Sequence, residues 1–193
     1  IIIEPAYDSY APSVRLNGGM VKYATLAPPD FQIDWEQLVR LITHRTKMII
    51  INTPHNPTGS ILSHEDLKEF ERIVTTRDLM LLSDEVYEHL IYDNKVHESV
   101  CRYPKLAQRS FVVGSFGKTV HATGWKTGYV LAPENLMAEY RKAHQFVVFA
   151  SNTPVQHAIA GFMEDPENFV KLGRFYQEKR DYFENLLKDS RLR

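Results

Sequence analysis

The sequence predicts an α/β fold of three layers, α/β/α, built on a mixed sheet whose strands run mostly parallel. Three observations carry this. Short, wholly apolar runs recur at 1–3, 48–51, 79–82 and 111–113, with helically spaced apolar residues between most of them. A strand apolar on both faces is what the middle of a parallel sheet requires. Each run ends in a polar loop rich in Pro, Gly, Asn or Asp, where open α/β sheets place ligand chemistry. Finally, 193 residues at 44% hydrophobic and 24% charged suffice for one sizeable core.

In chain order, Ile1 to Ile3 reads as the end of a strand closed by Pro5, and Tyr7 lies in the loop beyond it. Tyr10 is a weaker candidate for the same pocket. Met20 to Ala24 alternates as a short strand after Gly18-Gly19, and Pro28-Pro29 breaks the chain. Asp34 predicts a helix start: it caps, Gln37 stands three residues on, and Ile33 with Leu38 forms a staple. Met48 to Ile51 runs into Asn52-Thr-Pro-His-Asn56-Pro57-Thr58-Gly59, whose prolines and glycine forbid helix and fix a rigid loop. From pattern alone Asn56 is a turn-former, although such a loop also suits an amide aimed at a ligand.

Ser63 and Asp66 predict a second capped helix that turns Leu67, Phe70, Ile73 and Val74 inward. The strand at Leu79 to Leu82 ends in Ser83-Asp84-Glu85-Val86-Tyr87, where Asp84 reads either as an N-cap or as a carboxylate facing a ligand. Residues 88–100 are polar and irregular, with a hairpin signal at Asp93-Asn94. His89 and His97 are too isolated to suggest a metal and read as surface residues or supports behind the site. Ser110 to Ser115 delivers Ser115-Phe-Gly-Lys118. Thr127 to Leu131 follows too soon for a crossover, so it is expected antiparallel. A lysine just past a buried strand can form a Schiff base with an aldehyde when desolvation or a nearby charge keeps its amine neutral. Lys126 can supply that charge or bind a phosphate.

Residues 133–149 read as a helix, apolar at Leu136, Tyr140, His144 and Val147. Thr153 is expected to cap the next, with Pro154 in its first turn. Asn152, just before, is a candidate to face a neighbouring subunit. Asp165-Pro166 opens a long helix to Leu187, with Gly173 as a soft point. Residues 1–165 thus read as a ligand-binding large domain, incomplete at its N-terminus. Residues 166–193 read as a helix leading toward a C-terminal small domain, and the whole as an internal fragment of a longer protein.

Composition narrows the function. A net charge of -1 gives no basic face for nucleic acid. The single Cys101 excludes an internal disulfide or cysteine metal cluster and fits a reducing, cytoplasmic compartment. No apolar run approaches the ~18 residues of a membrane span.

The stretch Ser115-Phe-Gly-Lys118-Thr followed by Thr123-Gly-Trp-Lys126-Thr-Gly-Tyr129 closely resembles the cofactor-lysine segment of class I aminotransferases. These are pyridoxal 5′-phosphate (PLP) enzymes of the aspartate aminotransferase fold. Glu4-Pro-Ala-Tyr7-Asp-Ser-Tyr10, His55-Asn56-Pro-Thr-Gly59 and Asp84-Glu-Val-Tyr87 match further motifs of the family. The resemblance spans nearly the whole chain and is nearest the methionine, glutamine and kynurenine subgroup. It implies that Lys118 carries the cofactor as a Schiff base, Tyr7 stacks on its ring and Asp84 pairs with its pyridine nitrogen. It further implies that Asn56 and Tyr87 hold the phenolic oxygen, and that Ser115 and Lys126 hold the phosphate. Many members have arginine where Lys126 stands; lysine keeps the charge without the bidentate grip.

The implied reaction is a ping-pong transfer of an amino group from an L-amino acid to a 2-oxo acid, in a full-length homodimer. The family's Gly-Ala phosphate loop and its substrate-carboxylate arginine are expected outside the chain, so these residues alone are not expected to turn over substrate. A carbon–sulfur lyase on the same fold and a non-catalytic aminotransferase-like sensor domain are the rival readings. A generic nucleotide-binding domain is disfavoured because no Gly-x-Gly-x-x-Gly follows a strand.

Overall fold

The computed structural model describes residues 1–191. Six strands form one sheet in the order β2-β1-β3-β4-β5-β6. They are β1 (Ile2–Glu4), β2 (Tyr23–Thr25), β3 (Met48–Asn52), β4 (Met80–Asp84), β5 (Ser110–Ser115) and β6 (Gly128–Leu131). The first five run parallel to their neighbours and β6 runs antiparallel to β5. The mixed, mostly parallel sheet is therefore as expected. Nine α-helices accompany it among the described residues: α1 (Tyr10–Leu16), α2 (Trp35–Leu41), α3 (His64–Thr76), α4 (Pro104–Ala107), α5 (Phe116–Thr119), α6 (Glu134–Val147), α7 (Thr153–Met163), α8 (Glu167–Val170) and α9 (Leu172–Leu187).

The core lies between the sheet and α2, α3 and α4. Leu38, Leu67, Phe70, Ile73, Val74 and Leu106 pack on Ile3, Ile49, Ile51, Leu81 and Val112. Each such side chain, wholly withdrawn from water, contributes about 1.5–3 kcal/mol. On the opposite face of β5, Phe111 meets Tyr140 of α6, with ring centroids 6.4 Å apart. Helix α3 starts as its sequence dictates: Ser63 accepts from Asp66 N–H, while the Asp66 carboxylate accepts from Ser63 N–H. Asp34 likewise caps α2 by accepting from Gln37 N–H, but the Gln37 side chain instead accepts from Thr25 N–H at 2.8 Å, tying α2 to β2.

Several local expectations change. Helix α1 was not signalled; Pro12 sits in its first turn, where a missing N–H costs nothing. Asp93 and Asn94 do form a tight turn, with φ of 58° and 55°, yet no strands flank it. Asn152, not Thr153, caps α7, accepting from Val155 N–H at 3.2 Å. The expected single helix from 166 is two, broken at Lys171. Gly173 is no soft point, since it packs against the backbone of the segment after β4. The spacing of α6 gave its apolar positions, but no residue of α6 is buried and Val147 is 82% exposed. The last two residues of the expected 166–193 unit lie outside the described residues.

Candidate active site

The carboxyl ends of β3, β4 and β5 and the loop after β1 open on one cleft of about 350 Å³. Tyr7, Asn56, Asp84, Tyr87, Ser115, Lys118 and Lys126 all line it, so the fold brings every candidate residue to one place. Tyr10, Asn52 and Thr123 line it too.

Strand pleat sets which side chains face the cleft. Along β4, Asp84 lies on the face opposite Ser83, and its Oδ2 accepts from the Tyr10 hydroxyl at 2.5 Å. Its Oδ1 accepts from Val86 N–H at 3.2 Å. No cation pairs with it among the described residues. Burial pushes the Asp84 carboxyl above its ordinary value, and the neighbouring Glu85 charge adds to this; the Tyr10 and Val86 hydrogen bonds oppose it without reversing it. The Tyr10 phenol is pushed up by burial and by the Asp84 charge it faces.

Asn52 went unrecognised in the sequence. Its amide nitrogen donates to the Asp84 carbonyl at 2.8 Å, and its Oδ1 accepts from Asn56 N–H at 2.7 Å. One buried side chain thus ties the end of β4 to the loop that carries Asn56. The only sequence signal was a polar residue closing an apolar strand.

Lys118 stands in the short α5 beyond β5, its Nζ 5.4 Å from the centre of the Tyr87 ring. Gly117 lets that turn close on the next: a Cβ there would lie 3.0 Å from Thr123 Cα and 3.3 Å from Ser115 Oγ. Lys126 ends the 3-10 turn Thr123–Trp125 in the left-handed region, at φ 53°. The half-exposed Tyr7 ring meets Tyr10 edge-on at 5.6 Å. The Asn56 side-chain amide, the Tyr87 and Ser115 hydroxyls and the Lys126 amine make no hydrogen bond or ion pair among the described residues. The site therefore gathers a carboxylate without a cation, amines without an anion and donors with no acceptor.

Residues 1–193 match the family model "Aminotransferase class I and II". The chain is 44% identical over 193 residues to methionine aminotransferase of Escherichia coli, covering 100% of this chain and 50% of that protein. It is 35% identical over 207 residues to kynurenine–oxoglutarate transaminase of Dictyostelium discoideum, covering 97% and 48%. Among solved structures, YbdL from Escherichia coli, described as having a methionine aminotransferase function, superposes with a TM-score of 0.95 at 43% identity, over 98% of this chain and 50% of that one. N-Succinyldiaminopimelate aminotransferase from Mycobacterium tuberculosis gives 0.92 at 35% identity, over 97% and 50%. The chain spans about half the length of the curated relatives it matches. On this match over its whole length, the chain belongs to the class I and II aminotransferases, a family of pyridoxal 5′-phosphate enzymes.

Proposed function

We propose that this chain holds PLP in the cleft and that the whole protein is an aminotransferase, moving an amino group from L-methionine, or an aromatic or glutamine-like L-amino acid, to a 2-oxo acid. The observation that carries the reading is the unspent polarity of the cleft: the cation-free Asp84 carboxylate on one wall and the Lys118 and Lys126 amines on another. That donor set complements a pyridinium ring bearing an aldehyde, a phenolic oxygen and a phosphate. Asp84 would hold the proton on the ring nitrogen; a charge pair at about 4 Å is worth roughly 4 kcal/mol at an effective dielectric of 20. Asn56 and Tyr87 would hold the phenolic oxygen, Ser115 and Lys126 the phosphate, Lys118 the aldehyde carbon, and Tyr7 would stack on the ring. Bound there, PLP supplies an electron sink that acidifies the substrate Cα–H. The Lys118 amine would be the general base that takes the substrate Cα proton and the general acid that gives it back.

The substrate class follows the relatives named above for methionine and kynurenine. A second domain reached through α9, a homodimer and a cytoplasmic location belong to the same proposal. Borohydride reduction of the PLP-loaded protein followed by peptide mass spectrometry should place the label on Lys118. Incubation of the intact protein with L-methionine and a 2-oxo acid should yield the 2-oxo acid of methionine. A label on another lysine refutes the site, and release of ammonia with a thiol favours the lyase. The 193 residues alone are expected to give no turnover.

A further inference from the structure

The residue after Asp84 is also a carboxylate, and the pleat sends it to the other side of the sheet. Glu85 is 2% exposed. A bare buried carboxylate is costly, so the informative question is what satisfies it. Its Oε1 accepts from Ser83 Oγ at 2.9 Å and from Val100 N–H at 3.0 Å. Its Oε2 accepts from His97 Nε2 at 2.9 Å. Two of these donors come from 12 and 15 residues downstream. Together they close 86–100 into a loop whose first residues, Val86 and Tyr87, line the cleft. Backbone bonds fix the same corner: Glu85 N–H donates to Val113 O at 2.8 Å, and Val86 N–H reaches the Asp84 carboxylate.

His97 strengthens the point. Its Nδ1 is buried and has no partner among the described residues. An imidazole that leaves one nitrogen bare inside a protein accepts a cost, and its compensation here is the bond to Glu85. We infer that Glu85 and His97 are positioning residues: from behind the sheet they set the corner 84–87, and so the aim of the Asp84 carboxylate and the Tyr87 hydroxyl into the cleft.

The inference rests on the proposed PLP site, and the test separates the two. PLP affinity is measured by titrating the intact protein and following the cofactor's visible absorption, alongside the melting temperature. The unaltered protein, Glu85→Gln, His97→Ala and His97→Gln are compared with Ser63→Ala, which removes the cap of α3 away from the corner. Glu85→Gln and His97→Ala should bind PLP about tenfold more weakly, the fold-change of one lost hydrogen bond to a charged group, and displace the visible maximum. His97→Gln, which can still donate to Glu85, should recover most of the affinity. Ser63→Ala should lower the melting temperature and leave both cofactor readouts unchanged. If the Glu85 and His97 variants melt earlier but bind PLP with unaltered affinity and spectrum, their role is structural only and the inference fails. If the unaltered protein takes up no PLP, the proposed site fails, and the inference with it. Should His97→Ala not fold, Glu85→Gln decides the comparison.

Discussion

Gly114 and Tyr129 face each other across the antiparallel pair β5–β6, and their contact yields a sharp prediction. A Cβ built on Gly114 would collide with the hydroxyl end of the Tyr129 ring, overlapping Cζ and the hydroxyl oxygen and lying 2.5 Å from Cε1. Ordinary carbon contacts lie at about 3.5–4.0 Å, so in Gly114→Ala the ring must withdraw by more than about 1 Å. It is not free to do so. Its hydroxyl donates to Glu88 at 2.5 Å and its ring packs on Phe116 at 5.2 Å. Overpacking costs about 1–3 kcal/mol, and losing a hydrogen bond to a carboxylate about 1.5–3 kcal/mol. Gly114→Ala should therefore cost about 3–5 kcal/mol, which for a chain of this size lowers the melting temperature by roughly 6–20 °C. Removing the ring removes the conflict, so the alanine should cost little in a Tyr129→Ala background. In Tyr129→Phe it should fall to the overpacking part, about 1–3 kcal/mol, because the ring stays while the hydroxyl bond to Glu88 is already gone. Urea unfolding and calorimetry of the singles and doubles give the coupling directly. If the Gly114→Ala and Tyr129→Ala effects add to within about 0.5 kcal/mol, the reasoning is wrong.

Asp84→Asn should stabilise the unloaded protein at neutral pH while weakening PLP binding. The folded carboxyl titrates above its unfolded value of about 3.9, so its ionisation costs stability that is absent below that pH and grows as pH rises through the folded value; the gain in melting temperature should vanish near pH 3. Gly173→Ala places a Cβ 2.9 Å from the Ile91 carbonyl oxygen, a backbone atom that cannot swing away, and should cost about 1–3 kcal/mol by urea unfolding. Asn52→Ala strands the Asn56 N–H without its partner and takes a donor from the Asp84 carbonyl, for about 2–4 kcal/mol in the same assay; a loss below 1 kcal/mol would deny it that bracing role.

What the sequence disclosed is what nearest-neighbour physics governs. The α3 capping box, the apolar strands and the rigid 52–59 loop each follow from residues a few positions apart. So did the expectation that β6 runs antiparallel, which needed only the shortness of its connection. The candidate site residues sit at strand ends, where a polar residue after an apolar run is visible without a fold. What stayed hidden depends on which chains meet. Gly114 looks like any strand glycine until Tyr129 lies over it, and Gly173 like a helix weak point until the carbonyls of His89 and Ile91 press on it. The apolar spacing of α6 announced a face, but spacing alone cannot say what covers it, and Val147 on that face stands 82% exposed.

Asp84 and Glu85 show how the fold separates two residues the sequence presents as alike. Pleating places them on opposite sides of one strand. On one side Asp84 meets a phenol and one backbone N–H, with no cation among the described residues, so its charge is costly and available. On the other, burial by itself would push the Glu85 carboxyl up, but the bonds from His97 and Val100 more than reverse this and hold it below the usual range. Its contribution to stability is present above about pH 4.3 and is lost as pH falls through the lower folded value, opposite in sign to that of Asp84. A carboxylate saturated by its own chain has little left for a ligand. One left short of partners at the mouth of a parallel sheet invites a cation, and the two roles belong together, because the saturated neighbour holds the corner from which the other is aimed.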